Sequence, residues 1–454
     1  MSSYGFPSEL DYSVLKSMYP AIKQKYVKQP INGSSFTSGD IQLILQKMER
    51  TFYDPNTLAV VFSVTYAGAT AGTIGTDGNF ILGSAYSHFS RQVVKALSGA
   101  VLETIDNPSL AFNTILNVTT NSSDKMALST NMGFYSGNTA QATITGQGLT
   151  NMGPYVSNAN NLRTQSFAIP LIGVLNAMKL IPAFCSDIEI DLTLNSLANI
   201  ILTTTGLANS DVTSFTISNV SIQCESLTLE PSSFAQLMRD YPNVLKLKSS
   251  SLLYGSATLP SQSGAGTYDL TYSHNLSSLK QFLWWASPAN AAEKQYAGVC
   301  PNLARNGWQL LIGSTAYPQI PINGDSPAEQ FYENLKSFGS LYSSSHSGSS
   351  NRLSFARAST ESGEYLSYVT TMNTISLASS IVANNKWYAL IDLETINNSK
   401  DNLFTGISTK GFANTLRLNV GRQLANSVHT INFFSIYDVL IEFDVANQTI
   451  SVIQ

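Results

Sequence analysis

Charged residues are few in this sequence. Asp, Glu, Lys and Arg supply 12% of its 454 residues, about half the ~25% usual in soluble domains. A free-standing protein of this size ordinarily keeps a charged surface for solubility. The shortage points to surface covered by other subunits; a secreted β protein with a Ser/Thr-rich face is the alternative. A net charge of −4 offers no general basic field for nucleic acid, so sequence-specific nucleic-acid binding is not expected.

Cysteine is scarcer still. Cys185, Cys224 and Cys300 are too few and too far apart for a disulfide framework or a metal cluster. They read as small buried hydrophobes in a reducing compartment. Met1-Ser2-Ser3-Tyr4 lacks the apolar core of a signal peptide, and no run of about 18 apolar residues occurs. Synthesis in the cytosol follows as an expectation. His88, His274, His346 and His429 stand far apart, with no metal-ligand spacing. There is no Gly-x-Ser-x-Gly elbow, no Gly-Lys of a phosphate loop and no His-Glu-x-x-His. Catalytic, cofactor-binding and metal residues are therefore all expected to be none, although folding can still pair distant carboxylates as a glycosidase does. Asn-x-Ser/Thr triplets are frequent, but a chain rich in these residues produces them by chance; Asn219 and Asn447 fall in expected strands.

What is present is alternation, turns and two isolated helix starts. Trp308 to Gly313 reads as a strand, and Tyr317 to Ile322 as an extended segment kept out of a central ladder by Pro318 and Pro321. Ser326-Pro327-Ala328-Glu329 is a capping box with Pro at the first helical position. Phe331, Leu335 and Phe338 line one face of that helix, and Gly339 stops it. The first half repeats the unit: a strand through Ile105, then Asn107-Pro108 opening a helix with Phe112, Ile115 and Leu116 on one side. Pro108 and Pro327 are 219 positions apart (327 − 108). Ile188–Leu192 resembles Leu390–Leu393, and Phe215–Leu229 resembles Ile431–Val445, at nearly the same spacing. A duplicated β domain is the expectation, with similar patterning in two unrelated β domains as the alternative.

Along the chain, Ser8-Glu9-Leu10-Asp11 opens a short helix, followed by Lys23, Lys25 and Lys28, and residues 1–30 read as an arm. Strands are expected over Phe36–Leu45 and Leu58–Tyr66, with a turn at Asp54-Pro55-Asn56. Ser129–Asn161 and Leu341–Glu364 read as long exposed loops. Glu230 to Leu247 is the connector, giving a first domain over 31–235 and a second over 236–454. Many short strands and few helices predict an all-β chain of two tandem eight-stranded antiparallel jelly rolls with short helices in the loops.

Three blocks carry a family resemblance. They are Phe167–Asn176 with Leu180-Ile181-Pro182 and Ile188–Leu192; Trp308–Gly313 with Tyr317-Pro318-Gln319 and Ala328-Glu329; and Tyr437–Phe443. In this order they resemble the double jelly-roll major capsid proteins of double-stranded DNA viruses, of the polinton-like virus and virophage type within the adenovirus–tectivirus lineage. The resemblance implies a structural protein of the virion rather than an enzyme. Homotrimers would form pseudo-hexameric capsomers and tile an icosahedral shell around double-stranded DNA. It implies penton and minor capsid proteins as further partners, and an N-terminal arm on the inner side, in reach of genome or an internal membrane. Two rival expectations stand beside it: a single jelly roll with a protruding domain, as in small RNA virus shells, and a secreted β-sandwich module that binds carbohydrate or acts as an adhesin.

Overall fold

The computed structural model describes residues 21–68, 80–82, 84–119, 131–132, 162–203, 212–240, 244–260, 266–288, 307–323, 327–337, 387–395, 404–420 and 428–453. The first half runs β1 (Ala21–Lys28), β2 (Ser35–Phe36), β3 (Asp40–Leu45), β4 (Thr51–Gly68), β5 (Phe80–Leu82), β6 (Phe89–Ala96) and β7 (Val101–Asp106). It continues with α1 (Pro108–Thr119), β8 (Leu162–Pro170), β9 (Ile181–Pro182), β10 (Ile188–Leu194), α2 (Leu197–Ile200), β11 (Ile201–Thr203) and β12 (Val212–Leu229). After α3 (Pro231–Asp240) come β13 (Val244–Leu259), β14 (Gly266–Tyr272), β15 (Leu279–Pro288), β16 (Trp308–Ile312) and β17 (Thr315–Ile322). The chain closes with α4 (Pro327–Ser337), β18 (Ala389–Asp392), β19 (Asn414–Val420), β20 (His429–Asp444) and β21 (Thr449–Ile453).

Strands of the first half pair among themselves as β1-β12-β4-β8 and β3-β10-β6-β7; those of the second pair as β13-β20-β15-β18 and β14-β19-β16-β17. Count the eight principal strands of each half in chain order. Both halves then give the orders 1-8-3-6 and 2-7-4-5, which is a jelly roll twice over. Sequence explains the faces. β10, β16 and β19 alternate buried and half-buried residues along their whole length, as strands with one face on the core do. The sheets close on aromatic cores, with Phe62 on β4 against Phe89 on β6 at 5.3 Å and Trp284 on β15 against Trp308 on β16 at 5.6 Å between ring centroids.

Several expectations need correction. Ala21–Lys28 is not arm but the edge strand of the first sheet, in unbroken register with β12. The lysines disguised it, because its anchor is Tyr26, whose hydroxyl donates to Ile44 O (2.9 Å) and accepts from Gln46 N (3.1 Å) beyond β3. Asp54-Pro55-Asn56 does not turn the chain. The Asp54 carboxylate accepts from Asn56 N (3.0 Å), making a local kink opposite Glu225 within the continuous β4. Asn447 lies in the turn between β20 and β21, not in a strand. Of the three duplication pairs, the two helix starts and the pair β12 and β20 occupy the same place in each roll. Ile188–Leu192 does not match Leu390–Leu393: it is a seventh strand against a sixth, and the true counterpart of β10 is β19. The first 20 residues with their capping box, Ser326, Phe338 and Gly339, and nearly all of both long loops lie outside the described residues.

α4 also buries a different face from the one its hydrophobic spacing marks. Gln330, Asn334 and Ser337 are buried, while Phe331 and Leu335 are only half-buried. Asn334 completes the edge of β18: its Nδ2 donates to Tyr388 O (3.0 Å) and its Oδ1 accepts from Leu390 N (2.8 Å). Gln330 Oε1 accepts from the Trp308 indole (2.7 Å), and its Nε2 donates to Asn334 Oδ1 (2.9 Å). Replacing Asn334 by Leu keeps the volume and strips the edge of its partner. A loss of about 2–4 kcal/mol is expected from the stranded buried groups, read by urea denaturation; a loss below about 0.5 kcal/mol would refute this role for the helix.

Candidate functional site

The titratable groups inside each roll are structural. His88 is fully buried, with Nδ1 at 2.8 Å from Ala85 O and Nε2 at 2.6 Å from the Tyr66 hydroxyl. His274 is buried with Nδ1 at 2.8 Å from Ser435 Oγ. Burial lowers both from the usual 6.5 to about 4, so both are neutral core residues. Burial likewise pushes the thiols of Cys185 and Cys224 up to about 12, far from a reactive state. His346 and Cys300 lie outside the described residues. Glu394 and Asp438 are the buried carboxylates that share a cation, Lys280 lying 3.1 Å from the first and 3.7 Å from the second. Asp438 also accepts from Ser278 Oγ (2.9 Å) and Thr405 N (3.2 Å). With the two carboxylate side chains 5% and 0% exposed, the cluster ties β15 and β20 to neighbouring segments and admits no substrate. Among the described residues, no three His, Cys, Asp or Glu side chains converge as a metal site would need.

The chemistry that stands apart lies between the rolls. β7 ends one sheet of roll one, β13 ends one sheet of roll two, and the two edges meet. Glu103 of β7, 3% exposed, fills the junction. Val174 N–H lies 3.0 Å from each carboxylate oxygen, and the Ser251 hydroxyl and Leu252 N–H of β13 donate to it from the other roll. Gly173 makes the close approach possible: its φ is +96°, and a Cβ there would sit 2.1 Å from Oε2. Ser249 Oγ donates to Val174 O (2.6 Å), and farther along the seam Lys47 Nζ donates to Gln448 Oε1 (2.7 Å). These residues are absent from the expected sites. The one signal in the sequence was an acid inside the apolar run Val101–Ile105, where β7 buries Leu102 and Glu103 in succession and breaks alternation.

Burial raises Glu103 from the usual 4.5 to about 7, against the lowering effect of its three donors. A carboxyl raised on folding stabilises the fold fully below its unfolded value, and that stability is lost as pH rises through the folded value. Its window is therefore about pH 4.5 to 7, and the effect reaches at most about 3 kcal/mol. His88 and His274 act with the opposite sign, their contribution being lost as pH falls from 6.5 towards 4. The difference between wild type and Glu103→Gln isolates the carboxyl. The wild type is expected to lose stability relative to the variant between pH 5 and pH 8 in urea titrations, and a constant difference would contradict the assignment.

No protein-family model and no curated protein matches the sequence. Solved structures do. VP54 of PBCV-1, as fitted into a cryo-EM reconstruction of the virophage Sputnik, aligns with a TM-score of 0.62 at 10% identity, over 97% of this chain and 98% of that one. A chain of the Sputnik virophage structure aligns at 0.59 with 12% identity, over 100% and 93%. The mavirus major capsid protein aligns at 0.54 with 11% identity, over 99% and 94%. Identities this low speak for fold alone, and over nearly the full length of each of these proteins the fold is shared: the chain is a double jelly roll of the kind found in viral major capsid proteins.

Proposed function

We propose that this chain is the major capsid protein of a double-stranded DNA virus or virus-derived element, acting in the virion by self-association. The observation that carries it is the same strand order in two rolls, joined side by side by a buried polar seam. Such a chain has two similar corners, so three copies supply six and fill a hexagonal lattice site. Low charge accords with this, because much of the surface would be covered in the assembled shell. The division at residues 235 and 236, within α3, belongs to the same reading, as do penton and minor capsid partners and synthesis in the host cytosol.

A carbohydrate-binding module is less well supported. Trp284, Trp285, Trp308 and Trp387 are all buried, so none of the four tryptophans offers a ring face for a sugar to stack on.

A homotrimer is the expected soluble form, since obligate interfaces of this type commonly bury more than about 2,000 Å². Light scattering after size exclusion should give three times the 49.1 kDa chain mass. A monodisperse monomer at micromolar concentration would overturn the proposal. The segment before β1 is proposed to face the shell interior, near genome or membrane. Protease should cut within residues 1–20 of free trimers and spare them in intact particles; equal cutting in both refutes that placement.

A further inference from the structure

Within the second roll, the cluster of Lys280, Glu394 and Asp438 is more elaborate than an ion pair requires. β15 pairs with β20 in a register that skips Lys280, a bulge that takes the lysine out of the ladder. Its ammonium meets Asp438 on β20 and Glu394, two residues beyond β18. The backbone holds all three in place. Asp438 N–H donates to Ser278 O (3.1 Å), Leu393 N–H to Lys280 O (2.7 Å) and Thr395 N–H to Thr405 O (2.8 Å).

The two oxygens of Asp438 have different surroundings. Oδ2 accepts from the Ser278 hydroxyl and Thr405 N–H, and Ser278 Oγ in turn accepts from Gly406 N–H at 2.9 Å. A Cβ on Gly406 would lie 2.3 Å from Leu279 O, so glycine is what lets this segment come so close. Oδ1 accepts no hydrogen bond among the described residues and faces Lys280 Nζ at 3.7 Å. A buried oxygen left without a donor is costly in a purely structural ion pair. On the other side of Nζ, Glu394 Oε1 lies at 3.1 Å and accepts from Thr405 Oγ1 at 2.8 Å.

We propose that Lys280 and Asp438 condense into an intramolecular amide, with Glu394 carrying the proton between them. The ammonium first gives one proton to Asp438 Oδ1, leaving a neutral amine and a neutral carboxyl. The Nζ lone pair then attacks Cγ, and the C=O π pair moves onto Oδ2, where Ser278 and Thr405 already donate. Glu394 takes a proton from the nitrogen and delivers it to the Oδ1 hydroxyl. The Cγ–Oδ1 bond breaks, one water leaves, the pair on Oδ2 remakes the C=O, and Glu394 is again a carboxylate. No oxidant or other reagent is consumed. Burial drives the step, because it replaces two desolvated charges by a neutral amide whose N–H can donate to Glu394. The fold has already fixed both reacting groups side by side. The product joins β15 to β20 covalently around β16, β17, β18 and β19.

Denaturing mass spectrometry of the purified full chain tests this. The wild type is expected to be one water lighter than its sequence mass, and a tryptic digest to contain a branched peptide joining positions 280 and 438. Lys280→Arg keeps the cation without a nucleophilic amine, and Glu394→Gln removes the proton carrier. Both are expected at their full sequence mass, with tryptophan fluorescence checking that they fold. A wild type at full mass with an unbranched Lys280 peptide overturns the proposal, whether or not the variants fold. A water lost equally from Lys280→Arg overturns it too, by placing the condensation elsewhere, and a branched peptide in Glu394→Gln overturns the role of Glu394.

Discussion

A β-sheet that does not close on itself ends in rows of unpaired peptide groups, and each jelly roll here has two sheets to terminate. Different edges are finished in different ways. Asn32 lies beside β3, its Nδ2 donating to Asp40 O at 2.7 Å and its Oδ1 accepting from Gln42 N at 3.1 Å. Asn334 does the same for β18 from a helix. β17 carries prolines. The edges of β7 and β13 are set against each other, and the Glu103 carboxylate takes one edge peptide donor of β13, Leu252 N–H, together with the Ser251 hydroxyl and Val174 N–H. Edge termination and inter-roll docking are thus one arrangement at Glu103.

The scarcity of charge has a second side once burial is known. Glu103, Asp438 and most of Glu394 lie inside the protein, and Lys280 is largely covered. Lys95 is also committed, to Glu189 at 3.5 Å and Asp191 at 2.6 Å. An already small set of charges is partly consumed by internal ties, so the outer surface is more neutral than the composition implies. A neutral surface gives weak repulsion between copies and leaves association to shape and apolar contact.

Much of the fold was legible because its signals are local. Alternation in Ile188–Leu194 and Trp308–Ile312, the proline-marked edge at β17 and the two proline-headed helices all follow from side-chain period and backbone chemistry. What was not legible depends on partners distant in sequence. Gln330 and Asn334 look like solvent-facing residues until Trp308 and β18 arrive to use them. Lys23 and Lys25 look like a tail until β12 pairs with their backbone. The match of Ile188–Leu192 to Leu390–Leu393 failed because alternation marks a half-buried strand without saying where in the sheet it falls. The seam was hidden for the same reason: Glu103, Gly173 and Ser251 are each unremarkable alone.

That seam restricts how such proteins can exchange parts. Two similar rolls joined through one short helix look interchangeable, and a crossover near α3 would swap one whole roll for a relative's. Yet Glu103 and Gly173 travel with the first roll and Ser251 with the second. A chimera whose second roll has no hydroxyl at position 251 keeps the acid's two backbone donors, Val174 N–H and Leu252 N–H, and loses the third. Exchange of a whole roll is therefore constrained across the seam at the pair Glu103 and Ser251, which meet only when both rolls carry them.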